Sequence, residues 1–463
     1  MRNYLLAMSV CVVLSVVLST AAIADTTRPN VILIMTDDQG WGEVGFHGNK
    51  TIKTPNLDRF AAEGTELTHF YVSPMCTPTR SSLMTGRYHF GTGAHDTYIG
   101  RSNMNPQETT MAEIFAGAGY RTGIFGKWHL GENYPMRAVD QGFQTAVVHG
   151  GGGIGQFADY PGNSYWDPTL LYNDTFKKAK GYCTDVFIDE SIRFIRDNRG
   201  RPFFCYIPLN IPHSPFVVHA RFQKPYEKIV KEKGRQWTAP IYGMITQFDG
   251  AFQRLLDAVD EMGIKQNTII IFMTDNGPNS VYFTAGLRAK KGSVYENGIR
   301  SPFVIQWPKG MKGGRKFNDP AMHIDLLPTL ADACGIQLPA DLKVDGQSIL
   351  PLLTGKAKRL PDRTDHGRRW ATEETETTSN CTTLSRIRAK RRTWRVSIPT
   401  RSRPSSANMK RGLTMSPQSC GAKRACLTPS SLIQPKRLTF ALPGRTGGVT
   451  KPAGGPRTMG DGG

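Results

Sequence analysis

The chain has 463 residues, long enough for one large α/β domain or for a large one and a small one. Its formal charge of +20 first suggests a nucleic-acid or anionic-surface binder. However, 19 basic and 5 acidic residues follow Arg363, so the tail carries about two thirds of the excess and nothing in the body calls for nucleic acid.

Met1 to Ala24 reads as a secretory signal, with Arg2 as the positive charge, an apolar run from Leu5 to Leu18, and Ala22-Ile23-Ala24 as a cleavage site. The mature protein is therefore expected to be exported, periplasmic or extracellular, and no later apolar run is long enough to span a bilayer. Val31 to Met35 is a continuous apolar run of the kind buried on both faces of a parallel sheet, and it ends in Thr36-Asp37-Asp38-Gln39-Gly40. Thr54 to Gly64 is a short amphipathic helix opened by Pro55. Thr110 to Ala118 is helical, Arg121 to Phe125 a strand, and Thr184 to Asp197 an amphipathic helix. Phe203 to Leu209 is a buried strand followed by the loop Asn210-Ile211-Pro212-His213-Ser214-Pro215. A long helix from Ile241 to Met262 leads to the strand Asn267–Met273, which runs into Thr274-Asp275-Asn276-Gly277. Phe303 to Trp307 is one more strand and His323 to Ala333 a further helix. Alternating strands and helices specify a doubly wound α/β sheet, with polar residues gathered after the C-terminal ends of its strands.

The eight cysteines show no disulfide framework. Cys11 leaves with the signal, and Cys205 sits in an apolar run as a small hydrophobe. Cys183, Cys334, Cys381, Cys420 and Cys426 have no paired or metal-ligand spacing. Cys76 stands apart, in Ser73-Pro74-Met75-Cys76-Thr77-Pro78-Thr79-Arg80, before a helical run that ends at Gly86. Pro78 places Cys76 on a turn at or just before a helix N-terminus, where unpaired N–H groups favour an anion and Arg80 adds a cationic fork. On local pattern alone, a buried thiol in an ordinary turn explains it equally well.

Cys76-Thr77-Pro78-Thr79-Arg80 with Thr85-Gly86-Arg87 resembles the signature of the type I sulfatases, the formylglycine-dependent arylsulfatases of the alkaline-phosphatase-like superfamily. The resemblance runs from about Arg28 to Pro361. It implies an alkaline-phosphatase-like fold, a mostly parallel sheet with helices on both faces, and sulfate-ester hydrolysis. It further implies that Cys76 is oxidised to Cα-formylglycine by a maturation enzyme and that the hydrated aldehyde is the nucleophile.

Asp37 and Asp38 after one strand and Asp275 and Asn276 after another form a hard-oxygen set suited to Ca²⁺ or Mg²⁺, although each pair alone is ordinary turn chemistry. The resemblance makes them, with the modified Cys76, the metal ligands and implies calcium. Gly126-Lys127-Trp128-His129-Leu130-Gly131 matches a family pattern that assigns Lys127 to the aldehyde hydrate or sulfate and His129 to holding and deprotonating the hydrate. Residues two apart in extended backbone share a face, as Lys127 and His129 would. His213 matches a histidine that contacts the sulfate and its leaving oxygen, and Lys291 takes the place of the active-site lysine, with Lys290 as an adjacent ambiguity. Asp275 is a candidate base toward the attacking hydroxyl. Some relatives carry a supporting serine near Gly150-Gly151-Gly152-Gly153, and none aligns here, so the glycines read as a close-packing or pocket-rim segment. His95, Asp96 and Tyr98 are rim candidates.

The expected substrate is a sulfated small molecule or glycan. A phosphonate monoester or phosphodiester hydrolase on the same fold, or an inert remnant, are the alternatives. Relatives continue into a small antiparallel C-terminal domain, whereas residues 363–463 are rich in Arg, Ser, Thr, Pro and Gly without periodicity. Disorder is the expectation there, from a shifted coding frame near Arg363 or, alternatively, as a basic interaction tail.

Overall fold

The computed structural model describes residues 28–98, 101–229, 237–279 and 281–361. The signal-like segment and the basic tail lie outside these residues. The sheet is built on β1 (Asn30–Thr36), whose seven residues are all buried, as are those of β7 (Phe203–Pro208) and β8 (Thr268–Thr274). Near-continuous apolar runs buried at every position fit parallel interior strands covered on both faces. The other members are β2 (Thr65–Leu67), β3 (Arg121–Lys127), β4 (Thr145–His149), β5 (Thr169–Tyr172), β6 (Thr175–Lys178), β9 (Phe303–Gln306) and β10 (Arg315–Phe317).

The ten strands run in the order β10-β2-β9-β8-β1-β7-β3-β4-β5-β6. The five from β8 to β4 are mutually parallel, and β9 pairs antiparallel with β8. Alternate residues of β1 enter different cores. Val31, Leu33 and Met35 meet Leu83, Met84, Phe115 and Leu327. These come from α2 (Cys76–Thr85), α3 (Met111–Gly117) and α6 (Leu326–Ala333). Ile32 and Ile34 meet Leu57, Phe60, Phe187, Phe248 and Phe252 on the opposite face. Those belong to α1 (Pro55–Glu63), α4 (Cys183–Asn198) and α5 (Thr238–Glu261). Helices on both faces of a mostly parallel sheet are the architecture expected from the alternating pattern.

The register does the positioning. Thr36 lies opposite Thr274, so Asp37-Asp38 and Asp275-Asn276 leave the sheet side by side. Met35 lies opposite Pro208 and Arg121 opposite Phe203, which brings the ends of β7 and β3 to the same edge. Gly126 permits that approach: its φ is +138°, and a Cβ there would stand 2.0 Å from the Pro208 carbonyl oxygen. Strand β3 continues two residues beyond the expected Phe125, to Lys127. The short strands β2, β4, β5, β6 and β10 lack the long apolar runs that mark interior strands, and all four residues of β6 are exposed. No helix among the described residues is long and apolar enough to cross a membrane.

Candidate active site

Three buried carboxylates converge at the C-terminal edge of the sheet. One oxygen each from Asp37, Asp38 and Asp275 lies within 4.8 Å of the others. The turn after β1 is fixed by the Asp38 N–H, which donates to Asp275 Oδ1 at 3.1 Å, and by Asp38 itself at φ +66°. Each carboxylate has a cation. Lys127 Nζ is 2.5 Å from Asp37 Oδ2, Lys291 Nζ is 2.5 Å from Asp38 Oδ1, and Arg80 donates to Asp275 Oδ2 through Nη2 at 2.8 Å. Arg80 also donates to the Lys127 carbonyl, which ties α2 to β3.

Among the described residues, Asp37 Oδ1 and Asn276 Oδ1 are buried without a hydrogen-bond partner. Orphaned buried oxygens are costly. One of these belongs to the carboxylate cluster itself and the other to the adjacent Asn276 amide, and together the three carboxylates and the amide form a donor set that fits a hard divalent cation. Burial alone would raise Asp37, but Lys127, with His213, Arg80 and Lys291, overrides it and holds the carboxyl well below the usual range. Burial and then Asp37 push Asp275 up, against the pull of Arg80 and Lys127.

Cys76 opens α2, with Met75 as the N-cap in extended backbone, and Gly86 closes the helix in the left-handed region. Thr77 is helical although it precedes a proline. Pro78 falls in the first turn, where its missing N–H has no intrahelical acceptor to lose. Cys76 Sγ accepts from Lys291 Nζ at 3.3 Å and groups with Asp37 and His213 within 4.8 Å. Burial pushes the thiol up to about 11, despite Lys127 and Lys291. A thiol protonated at neutral pH is a weak nucleophile.

The two histidines differ in tautomer. His129 Nε2 lies 3.1 Å from the Thr97 carbonyl, which can only accept, so Nε2 carries the proton and Nδ1, buried and unpartnered, keeps a lone pair. Burial, then Lys127 and Arg80, holds His129 well below its ordinary pKa, so it is neutral. His213 Nδ1 donates to the Ser214 carbonyl at 2.7 Å, and its Nε2 is 3.7 Å from Asp38 Oδ2. Burial also lowers His213, against the opposing pull of Asp37 and Asp38.

Cys76, His129, His213 and Lys291 line one cavity of about 760 Å³, with Thr97, Tyr98, Ser102, Asn103, Gly151 and Gly152 on its walls.

The expected nucleophile, metal ligands, Lys127, His129, His213 and Lys291 fall at this edge, with three adjustments. His129 has φ +56°, so the extended geometry expected to align it with Lys127 ends at β3, and the two side chains take different partners. Asp275 Oδ1 accepts from the Asp38 N–H and its Oδ2 from Arg80, which anchors the carboxylate while each oxygen keeps a lone pair for a proton or a cation. Lys291 reaches the thiol, while Lys290 is exposed. Of the rim candidates Tyr98 lines the cavity, and His95 and Asp96 do not.

The glycine run lies against the catalytic edge, for a Cβ on Gly152 would stand 3.1 Å from His129 Cε1. The Thr97 carbonyl was not anticipated. It supports His129 in the role that some relatives give to a serine, and a backbone group leaves no mark in side-chain identity. Cys205 is free and buried, as its apolar run implied, and so are Cys183 and Cys334, whose spacing showed no pairing.

The family model named Sulfatase matches residues 29–336. Human arylsulfatase A is 32% identical over 73% of this chain and 70% of its own length. The N-acetylgalactosamine-6-sulfatase of the dog is 29% identical over 72% of this chain and 67% of its own length. Among solved structures, Ps i-CgsB in complex with k-i-k-neocarrahexaose superposes with a TM-score of 0.62 at 30% identity, covering 70% of this chain and 76% of that one. With the model spanning most of the described fold and every strand-end motif in place, the chain belongs to the sulfatase family and is a sulfuric ester hydrolase.

Proposed function

We propose that this chain cleaves the sulfate esters of sugar or aryl hydroxyls with a formylglycine made from Cys76, beside a calcium ion held by Asp37, Asp38, Asp275 and Asn276. The observation that carries the reading is the meeting of Cys76 Sγ with Asp37, His213 and Lys291 at the mouth of a carboxylate cluster. The orphaned oxygens of Asp37 and Asn276 fit the ion, and the donor set alone would also accept magnesium. The ion would supply Lewis-acid polarisation of a sulfate oxygen, and the hydrated aldehyde a hydroxyl nucleophile.

The remaining chemistry belongs to the side chains. Lys127, Lys291 and Arg80 place fixed positive charge where a sulfate monoanion and a departing alkoxide need it, in a site shielded from water. His129, neutral and with its Nδ1 lone pair free, accepts a proton. The Thr97 carbonyl keeps it in that tautomer. Lys291, beside the cavity, delivers a proton to the leaving oxygen, and His213 at the cavity wall does so only when Nε2 is protonated as well as Nδ1, the state that Asp37 and Asp38 favour. The signal-like Met1–Ala24 supports action outside the cytoplasm.

The test is release of inorganic sulfate from aryl sulfates and sulfated sugars, run beside aryl phosphodiesters and phosphonate monoesters. Sulfate release at the higher kcat/KM supports the reading, and a preference for the phosphorus esters would overturn it.

A further inference from the structure

Two aromatic side chains stand at the mouth of the Cys76 cavity. Phe157 is 98% exposed and Tyr98 56% exposed, and both line the cavity that has Cys76 and Lys291 in its wall. A single exposed aromatic needs no explanation. Two on the rim of one polar cavity, each hung from a segment that touches the same histidine ring, do call for one.

Tyr98 follows Thr97, whose carbonyl holds His129. Phe157 belongs to the loop whose Gly152 lies beside the same edge of that ring, where a Cβ would stand 3.1 Å from Cε1. This loop is tied down. Asp159 accepts from the N–H groups of Gly150 at 3.0 Å and Gly155 at 2.7 Å, and from Asn163 Nδ2 at 2.9 Å. The Asp159 N–H donates to the Gln156 carbonyl, closing a turn with Phe157 at its tip and Ala158 at φ +72°. An alanine in the left-handed region is disfavoured, so the turn is held by its surroundings. The phenyl ring is therefore presented to solvent by a fixed backbone. The same cavity is lined by Ser102, Asn103 and Gln156, uncharged hydrogen-bonding side chains of the kind that meet hydroxyls.

We propose that Phe157 and Tyr98 form a subsite for the ring next to the sulfated one, so that the chain acts on sulfated oligosaccharides or longer glycans in preference to single sulfated sugars. Apolar faces of sugar rings lie well on aromatic side chains, whose area is gained at little entropic cost. A cavity of about 760 Å³ is within the range that accommodates ligands larger than one ring. This inference rests on the sulfatase reading of the same site.

The experiment compares kcat/KM for a sulfated monosaccharide and the corresponding tetrasaccharide, across galactan, galactosaminoglycan and glucosaminoglycan series, in wild type, Phe157→Ala, Tyr98→Ala and Phe157→Tyr. The expected result is a tetrasaccharide preference of about tenfold or more in at least one series, from stacking of the extra ring. It should be carried in KM, lost in both alanine variants and kept in Phe157→Tyr. Equal rates on both lengths in wild type, or an unchanged preference in both alanine variants, would overturn the proposal while leaving the sulfatase reading intact. If no sulfate ester is cleaved, the sulfatase reading fails, and retardation in gels containing sulfated polysaccharide still decides the subsite. Retardation that both alanine variants lose supports it, and no retardation of wild type, or equal retardation of all variants, refutes it.

Discussion

Replacing Lys127 by methionine isolates the charge balance of the site. Lys127 and Asp37 are both fully buried and lie 2.5 Å apart. Removing one partner of such a pair leaves an uncompensated buried charge, which typically costs about 3–5 kcal/mol. Arg80 remains 3.8 Å from the same Asp37 oxygen, so the cost should fall at the lower end, about 3 kcal/mol. For a domain of this size that corresponds to a midpoint shift of roughly 4 °C. The assay is thermal unfolding in a chelating buffer at neutral pH.

The pH dependence has a definite sign. The Asp37 carboxyl is depressed in the folded chain, so its contribution is complete above the unfolded value, near 3.9, and is lost as pH falls through the folded value. The gap between Lys127→Met and wild type should therefore be widest at neutral pH and close below about pH 4. Adding Asp37→Asn to Lys127→Met should recover part of the loss, because it removes the stranded charge. A Lys127→Met midpoint equal to that of wild type, or a double variant whose losses simply add, would refute the reasoning.

Cys76→Ala should remove turnover entirely while lowering stability by less than about 1 kcal/mol, since it deletes one small buried atom and a weak contact to Lys291; kinetics and unfolding of the same preparation check this. Chelation should abolish activity and lower the unfolding midpoint, and titrating calcium back should raise the midpoint progressively by mass action; a midpoint indifferent to calcium argues against Asp37, Asp38, Asp275 and Asn276 as its ligands. Gly152→Ala should lower kcat with little change in unfolding, because its methyl would press on His129 Cε1 at 3.1 Å, and wild-type kcat would contradict that contact. The acid limb of kcat/KM should lie below pH 6.5, because a base depressed by burial and by Lys127 stays unprotonated until lower pH; a limb above 6.5 would dismiss His129 as that base.

Much of this site could be read in the sequence because parallel strands end where their apolar runs end. Val31 to Met35 and Asn267 to Met273 located two neighbouring edges, and the polar residues that follow each run are the ones that converge. Cys76 was identifiable through its turn, its proline and Gly86. What stayed hidden depends on the path of the backbone. The left-handed φ of His129 turns it away from the face expected from a strand, and the supporting Thr97 carbonyl comes from a loop 32 residues upstream. Nor can sequence show that the Asp275 carboxylate is anchored by Arg80 and the Asp38 N–H. The edge strand Thr175–Lys178 carried no apolar signal because every one of its residues faces solvent.

The central claim concerns the chemical state of one side chain, and mass spectrometry of the tryptic peptide Phe60–Arg80 from active protein reads it directly. The account predicts a peptide lighter than the unmodified sequence by the difference between a thiol and an aldehyde, in a proportion that tracks specific activity across preparations. Fully active protein whose Cys76 is an unmodified thiol would contradict it.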